Sequence, residues 1–131
     1  MRKCILIKTN LEFEVVELPE DDTFNDEVYK LLDCECWEGV PGVFETYLMV
    51  DESGKLKRPP KKENLLACSL YAGFIFGEDV LVGDVLVSTI GKNEDGESDL
   101  VSLSDRKLEC IMAFLLSAKS AILKIVPEEK R

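Results

Sequence analysis

The spacing of apolar positions changes several times along the chain, and each change marks an element. Residues 3–7, Lys-Cys-Ile-Leu-Ile, supply apolar side chains to both faces of a strand, as in the middle of a sheet. Thr9-Asn10 predicts a turn with Asn10 at positive φ. A second strand then alternates, with Leu11, Phe13 and Val15 inward and Glu12 and Glu14 outward. Phe24, Val28, Leu31 and Leu32 recur at helical spacing. They predict a short early helix capped by Asp22 or Thr23, with Asp26 and Glu27 near its N-terminus.

Gly39, Pro41 and Gly42 predict a break in the chain. Residues 44–50 suit a strand, and Asp51-Glu52-Ser53-Gly54 a hairpin turn with Gly54 left-handed. Residues 55–62 form a basic loop in which Pro59 and Pro60 forbid helix. A short helix or turn is expected at 63–71, then a strand-like stretch from Gly73 to Ile90 punctuated by Gly77 and Gly83. Asn93 to Glu97 reads as a hairpin tip leading into a short strand at Leu100-Val101.

The closing helix starts at a Ser104 cap, with Leu103 stapled onto Leu108. Its stripe runs Leu108, Ile111, Met112, Leu115, Ile122 and Ile125, and Pro127 follows its end. Ala113, Phe114, Leu116 and Ala121 make the other sides apolar too. Two arrangements would cover such a helix. Either a second subunit or partner packs on it, giving a homo-oligomer through the C-terminal helix, or it breaks near Ser117 and both pieces fold back. The elements together predict a single α+β domain over 1–131, with a core at about 1–116. Its sheet is twisted and mostly antiparallel, with one short early helix and one long C-terminal helix at about 104–126.

Composition narrows the function. The 131 residues are 46% hydrophobic and 32% charged, as in a globular chain. With 16 Lys and Arg against 26 Asp and Glu, the net charge is −10, which argues against direct binding to nucleic acid or anionic membrane. Histidine is absent, which removes His-dependent triads, His-ligated metals and histidine acid–base chemistry. The first eight residues lack the pattern of a signal peptide. Ile111 to Val126 carries two lysines and falls short of the ~20 apolar residues of a membrane span. Five cysteines without a secretory signal predict reduced thiols in a cytoplasm.

Charge layout is the strongest feature. Residues 11–38 hold eleven acids and one base, Lys30, and so account for the whole net charge. Glu12, Glu14, Glu17, Glu20, Asp21, Asp22 and Asp26 form a candidate partner-binding face that would occupy a basic cleft. The alternative is a solvated face that keeps the protein soluble. A second candidate site comprises Lys57, Arg58 and Tyr71, which could hold a nucleotide or signal molecule at a subunit interface, although a basic loop beside two prolines is usually just solvated. Trp37, Tyr29 and Tyr47 could line a pocket or simply pack at the rim of the core. Cys34-Glu35-Cys36 could grip a soft metal, but the remaining cysteines are isolated and suit a core. No phosphate-binding glycine loop is present and no carboxylate pair stands out, so the expectation is a non-enzyme without catalytic residue, metal or cofactor.

Several segments together resemble a small domain family of unknown function carried by phages, plasmids and conjugative elements of Gram-positive bacteria. They are Ile5-Leu6-Ile7-Lys8, Glu14-Val15-Val16-Glu17-Leu18, Asp51-Glu52-Ser53-Gly54-Lys55-Leu56 with Pro59-Pro60, Val82-Gly83-Asp84-Val85, and Ser102-Leu103-Ser104-Asp105. The likeness covers residues 1–116. Residues 117–131 run past it, and Lys-Arg-Pro-Pro-Lys-Lys departs from the usual Pro-Pro-Asn form. The resemblance implies an intracellular accessory protein of a mobile element and supplies no catalytic residues. Such accessory proteins often blunt host defence, by plugging an effector or sequestering a signal molecule. Joined to the acidic face, which could imitate nucleic-acid phosphates, this makes a nucleic-acid-handling defence protein the expected partner.

Overall fold

Strands that are apolar on both faces belong inside a sheet covered on both sides, and two segments meet that condition. They are β1 (Arg2–Ile7) and the first half of β5 (Val85–Lys92). In the computed structural model, which describes residues 1–131, they lie side by side in the order β2-β1-β5-β4-β3. Here β2 is Phe13–Leu18, β3 is Trp37–Pro41 and β4 is Tyr47–Asp51. A sixth strand, β6 (Ser98–Val101), pairs with the second half of β5 across the Asn93–Glu97 turn. Every pairing is antiparallel.

Helices cover both faces, and the side-chain alternation of the strands feeds one core to each. Ile5, Ile7, Leu48, Val50, Val85 and Val87 point to the larger core, closed by α4 (Asp105–Ile125) and the single-turn α2 (Leu65–Cys68). Cys4, Leu6, Met49 and Leu86 point the other way, onto Phe24, Val28 and Leu32 of α1 (Phe24–Leu32). Each of those three α1 side chains contributes about 1.5–3 kcal/mol through the apolar area it removes from water. A further single turn, α3 (Ala72–Ile75), buries none of its residues.

Asn64 joins several of these pieces. It is fully buried, and its Nδ2 donates to the carbonyls of Ile7 and Gly83 at 3.0 and 2.9 Å. Its Oδ1 accepts from the Ala67 amide at 3.0 Å, which caps α2. One amide side chain thus locks the end of β1, the lead into β5 and α2.

The structure is α+β with an antiparallel sheet, and both expected helices are present, joined by the two short ones. Several local expectations are corrected. Leu11, not Asn10, takes the positive φ of 73° after β1, while Asn10 Oδ1 accepts from the Glu12 amide. Val15 is 43% exposed, because β2 is an edge strand with no neighbour beyond it. The stretch read as a break contains β3, and the residues before β4, Phe44 and Glu45, form a turn with φ of 58°. Asp51–Gly54 is no hairpin, since β4 pairs with β3 and β5, and Gly54 opens a 3₁₀ turn instead. Of residues 73–90, only those from Val85 onward are strand.

Helix α4 runs unbroken through Ser117, so it does not fold back. Ser104 caps it, its Oγ accepting from the Lys107 amide at 3.2 Å. Leu108, Ile111 and Leu115 are buried, whereas Leu116, Leu123 and Ile125 on the outer half are exposed. No helix is long and apolar enough to cross a membrane.

Candidate functional site

The basic loop does a structural job at the C-terminal end of α1. Asp51 is buried at the end of β4, with Lys57 Nζ 2.7 Å and Lys61 Nζ 2.9 Å from its Oδ2. Lys61 Nζ also donates to the carbonyls of Leu32 and Asp33, each at 2.7 Å, and Lys57 Nζ reaches the Asp33 carbonyl at 3.2 Å. A helix leaves its last carbonyls unpaired, and cations favour that end. Burial pushes the Asp51 carboxyl up, but the two ammonium groups and the Ser53 amide outweigh it and hold it below its ordinary value.

The candidates Lys57, Arg58 and Tyr71 do not share a cleft. Lys57 lines a depression with Tyr29, Asp33 and Cys34, whereas Tyr71 lines another with Lys55 and Asp79. The Tyr71 hydroxyl donates to Asp79 Oδ2 at 3.3 Å, and Lys55 pairs with the same carboxylate. Arg58 is exposed, its guanidinium turned back on the carbonyls of Leu56 and Lys57.

The seven acidic candidates are all exposed, and Glu12, Glu14, Glu17, Asp21, Asp22 and Asp26 take part in no ion pair. They do not share one face. Glu14 pairs in register with Leu6, on the α1 side of the sheet, and Glu17 with Lys3, on the α4 side. Asp21, Asp22 and Asp26 continue the acidity from β2 onto the turn and first residues of α1. The Asp21 carboxyl is held below its ordinary value by hydrogen bonds from the Thr23 hydroxyl and amide.

Where this acidic turn meets β6 and the β3–β4 hairpin, the α1 side of the sheet opens into a cleft of about 490 Å³. Arg2, Phe24, Asn25, Trp37, Tyr47 and Leu100 line it, with Glu20, Asp21, Asp22 and Asp99. Arg2 is nine-tenths buried, with its guanidinium carbon 4.5 Å from the centroid of the Phe24 ring. Its Nε is buried without an acceptor, and no carboxylate pairs with it. Trp37 is held by its indole N–H, which donates to Asn25 Oδ1 at 3.0 Å. Tyr47 lies across Gly39, where a Cβ would come within 1.9 Å of the ring. Glycine in β3 therefore makes room for one wall of the cleft.

No family model, curated protein or solved structure matches this chain.

The cysteines divide. Cys4 and Cys68 are buried, and desolvation pushes the Cys4 thiol up to about 11, which leaves it a protonated core residue. Cys36 and Cys110 are exposed. Cys34 and Cys36 lie in the link between α1 and β3, and no three Cys, Asp or Glu side chains converge on one point.

Sequence reasoning named Trp37 and Tyr47 as pocket candidates but passed over Arg2, Asn25 and Asp99. One trace of Arg2 was present. Arg2, Cys4 and Leu6 alternate on one face of β1, which places a guanidinium in line with core residues.

Proposed function

We propose that the protein is a non-enzymatic binding protein whose carboxylates engage a basic cleft of a partner protein. The resemblance to the mobile-element family supports a cytoplasmic accessory role, as an inhibitor of a nucleic-acid-handling defence protein. One observation carries the binding reading. Charged residues on β2 have a structural use, since they protect an edge strand from pairing with other chains. Edge protection does not account for Asp21, Asp22 and Asp26, which lie off that strand, exposed and outside any ion pair. A surface of this kind steers a cationic partner and gives an association that weakens with salt.

Pull-downs at low and high salt test it. Charge reversal at Asp21, Asp22 and Asp26 should abolish capture of a basic, nucleic-acid-handling protein that the unaltered protein retains only at low salt. Reversal of Glu17, on the other side of the sheet, should do less. Salt-insensitive capture, or capture that ignores all of these reversals, would contradict the reading.

A second reading, a small-ligand binding or sequestering protein, is favoured by the cleft beside the same acidic turn. It moves the ligand away from Lys57, Arg58 and Tyr71 to the group around Arg2.

A further inference from the structure

We propose that the cleft around Arg2 binds a guanine base, presented as a nucleoside without phosphate. The proposal rests on the ligand-binding reading and gives it a chemical class. At about 490 Å³ the cleft falls within the range of small-molecule sites, roughly 300–1,000 Å³. Its polar groups then select the ligand.

Arg2 sets the first requirement. A guanidinium presents parallel N–H donors that suit two adjacent acceptors, as in a carboxylate, a phosphate or the O6/N7 edge of guanine. No side-chain hydrogen bond or ion pair in the protein uses this guanidinium; its Nε is enclosed, which leaves the two terminal nitrogens as the fork that a ligand in the cleft can reach. Glu20, Asp21, Asp22 and Asp99 line the same cleft, and of the four only Glu20 has a cationic partner, the N-terminal ammonium at 3.6 Å, so carboxylates outnumber cations there. An anionic ligand would meet like charge on entering, so the acceptor pair must be neutral.

The carboxylates set the second requirement. They accept hydrogen bonds and cannot donate, so the ligand must also offer N–H groups. Guanine carries N1–H and the 2-amino group on the edge away from N7, which leaves O6 and N7 for Arg2. Adenine has an amino group beside N7 and gives a guanidinium only one acceptor there. Trp37 and Tyr47 supply aromatic faces on which a flat base stacks.

Trp37 is the only tryptophan, so its fluorescence reports the cleft directly. Guanosine should quench it saturably. Adenosine and 7-deazaguanosine, which lack one of the two acceptors, should bind about tenfold more weakly. Guanosine monophosphate should also lose about tenfold at low salt, and Asp22→Asn with Asp99→Asn should narrow that gap. Arg2→Lys keeps the charge without the fork and should weaken guanosine by about tenfold. The nucleoside series needs no mutant, so a folding defect in one cannot mask the result. Equal binding of guanosine, adenosine and 7-deazaguanosine would overturn the guanine assignment and leave the ligand-binding reading intact. Binding of N-acetylarginine amide in place of any nucleoside would overturn it in favour of a partner's basic side chain. Binding of none of these probes would overturn the proposal and remove the support for that reading.

Discussion

The two ends of α1 treat buried charge in opposite ways. At the C-terminal end Asp51 is buried between Lys57 and Lys61, and the lysines also satisfy the last carbonyls of the helix. Asp51, Lys57 and Lys61 thus satisfy one another at ion-pair distance. At the N-terminal end Arg2 is almost as buried, stacks on Phe24, and has no carboxylate partner. Desolvating a charge costs several kcal/mol unless other groups compensate, so the paired arrangement stabilises the fold and the unpaired one contributes little. The paired end anchors the helix, and the unpaired end faces a cleft.

Substitutions can break this contrast, and Asp51 should show the largest effect. Asp51→Ala leaves two ammonium groups facing each other without the carboxylate and should cost about 3 kcal/mol in urea unfolding. A loss below about 1 kcal/mol would mean that the pairs behave as exposed ones do. Asn64→Ala, next in size, strands the Ile7 and Gly83 carbonyls and should cost about 2 kcal/mol in the same assay.

Acid sharpens the comparison through one end only. The Asp51 carboxyl is held below its ordinary value of 3.8, so its contribution is complete above that value and disappears as pH falls through the folded-state pKa. Between about pH 4 and pH 2 the unaltered protein should therefore lose stability more steeply than Asp51→Asn. Parallel slopes would show that Asp51 is not held low. The smallest effect should come from Arg2→Met. Loss of the cation–π contact with Phe24 is offset by relief of an unpaired buried charge, so stability should change by no more than about 1 kcal/mol.

The sequence made the centre of the molecule legible and left its edges obscure. β1 and the inner face of α1 followed directly from their apolar spacing, and Ser104 marked the start of α4. β3 was hidden because Gly39 and Pro41 normally end strands. Gly39 is tolerated because the Tyr47 ring fills the space its side chain would need, and Pro41 sits at the end of an edge strand. The run Phe74-Ile75-Phe76 looked like buried strand, yet all three residues are exposed. Apolar character alone could not show that no layer covers them. The cleft was illegible for a different reason. Arg2, Asn25, Trp37, Tyr47 and Asp99 come from five separate segments, and only the register of the sheet and the packing of α1 on it bring them together. Likewise, the acids of residues 11–38 were visible as a charge run. Their division between the two sides of β2 depends on pairing with β1.

Urea unfolding of the unaltered protein and of Arg2→Met, each with and without guanosine, tests the central contrast most directly. Without ligand the two should unfold at nearly the same urea concentration, with the variant equal or slightly higher. Guanosine should raise the midpoint of the unaltered protein and leave that of the variant where it was, since a ligand stabilises only the fold it binds. A variant that is strongly destabilised, yet still shifted by guanosine as much as the unaltered protein, would make Arg2 a structural residue and contradict the assignment of the cleft.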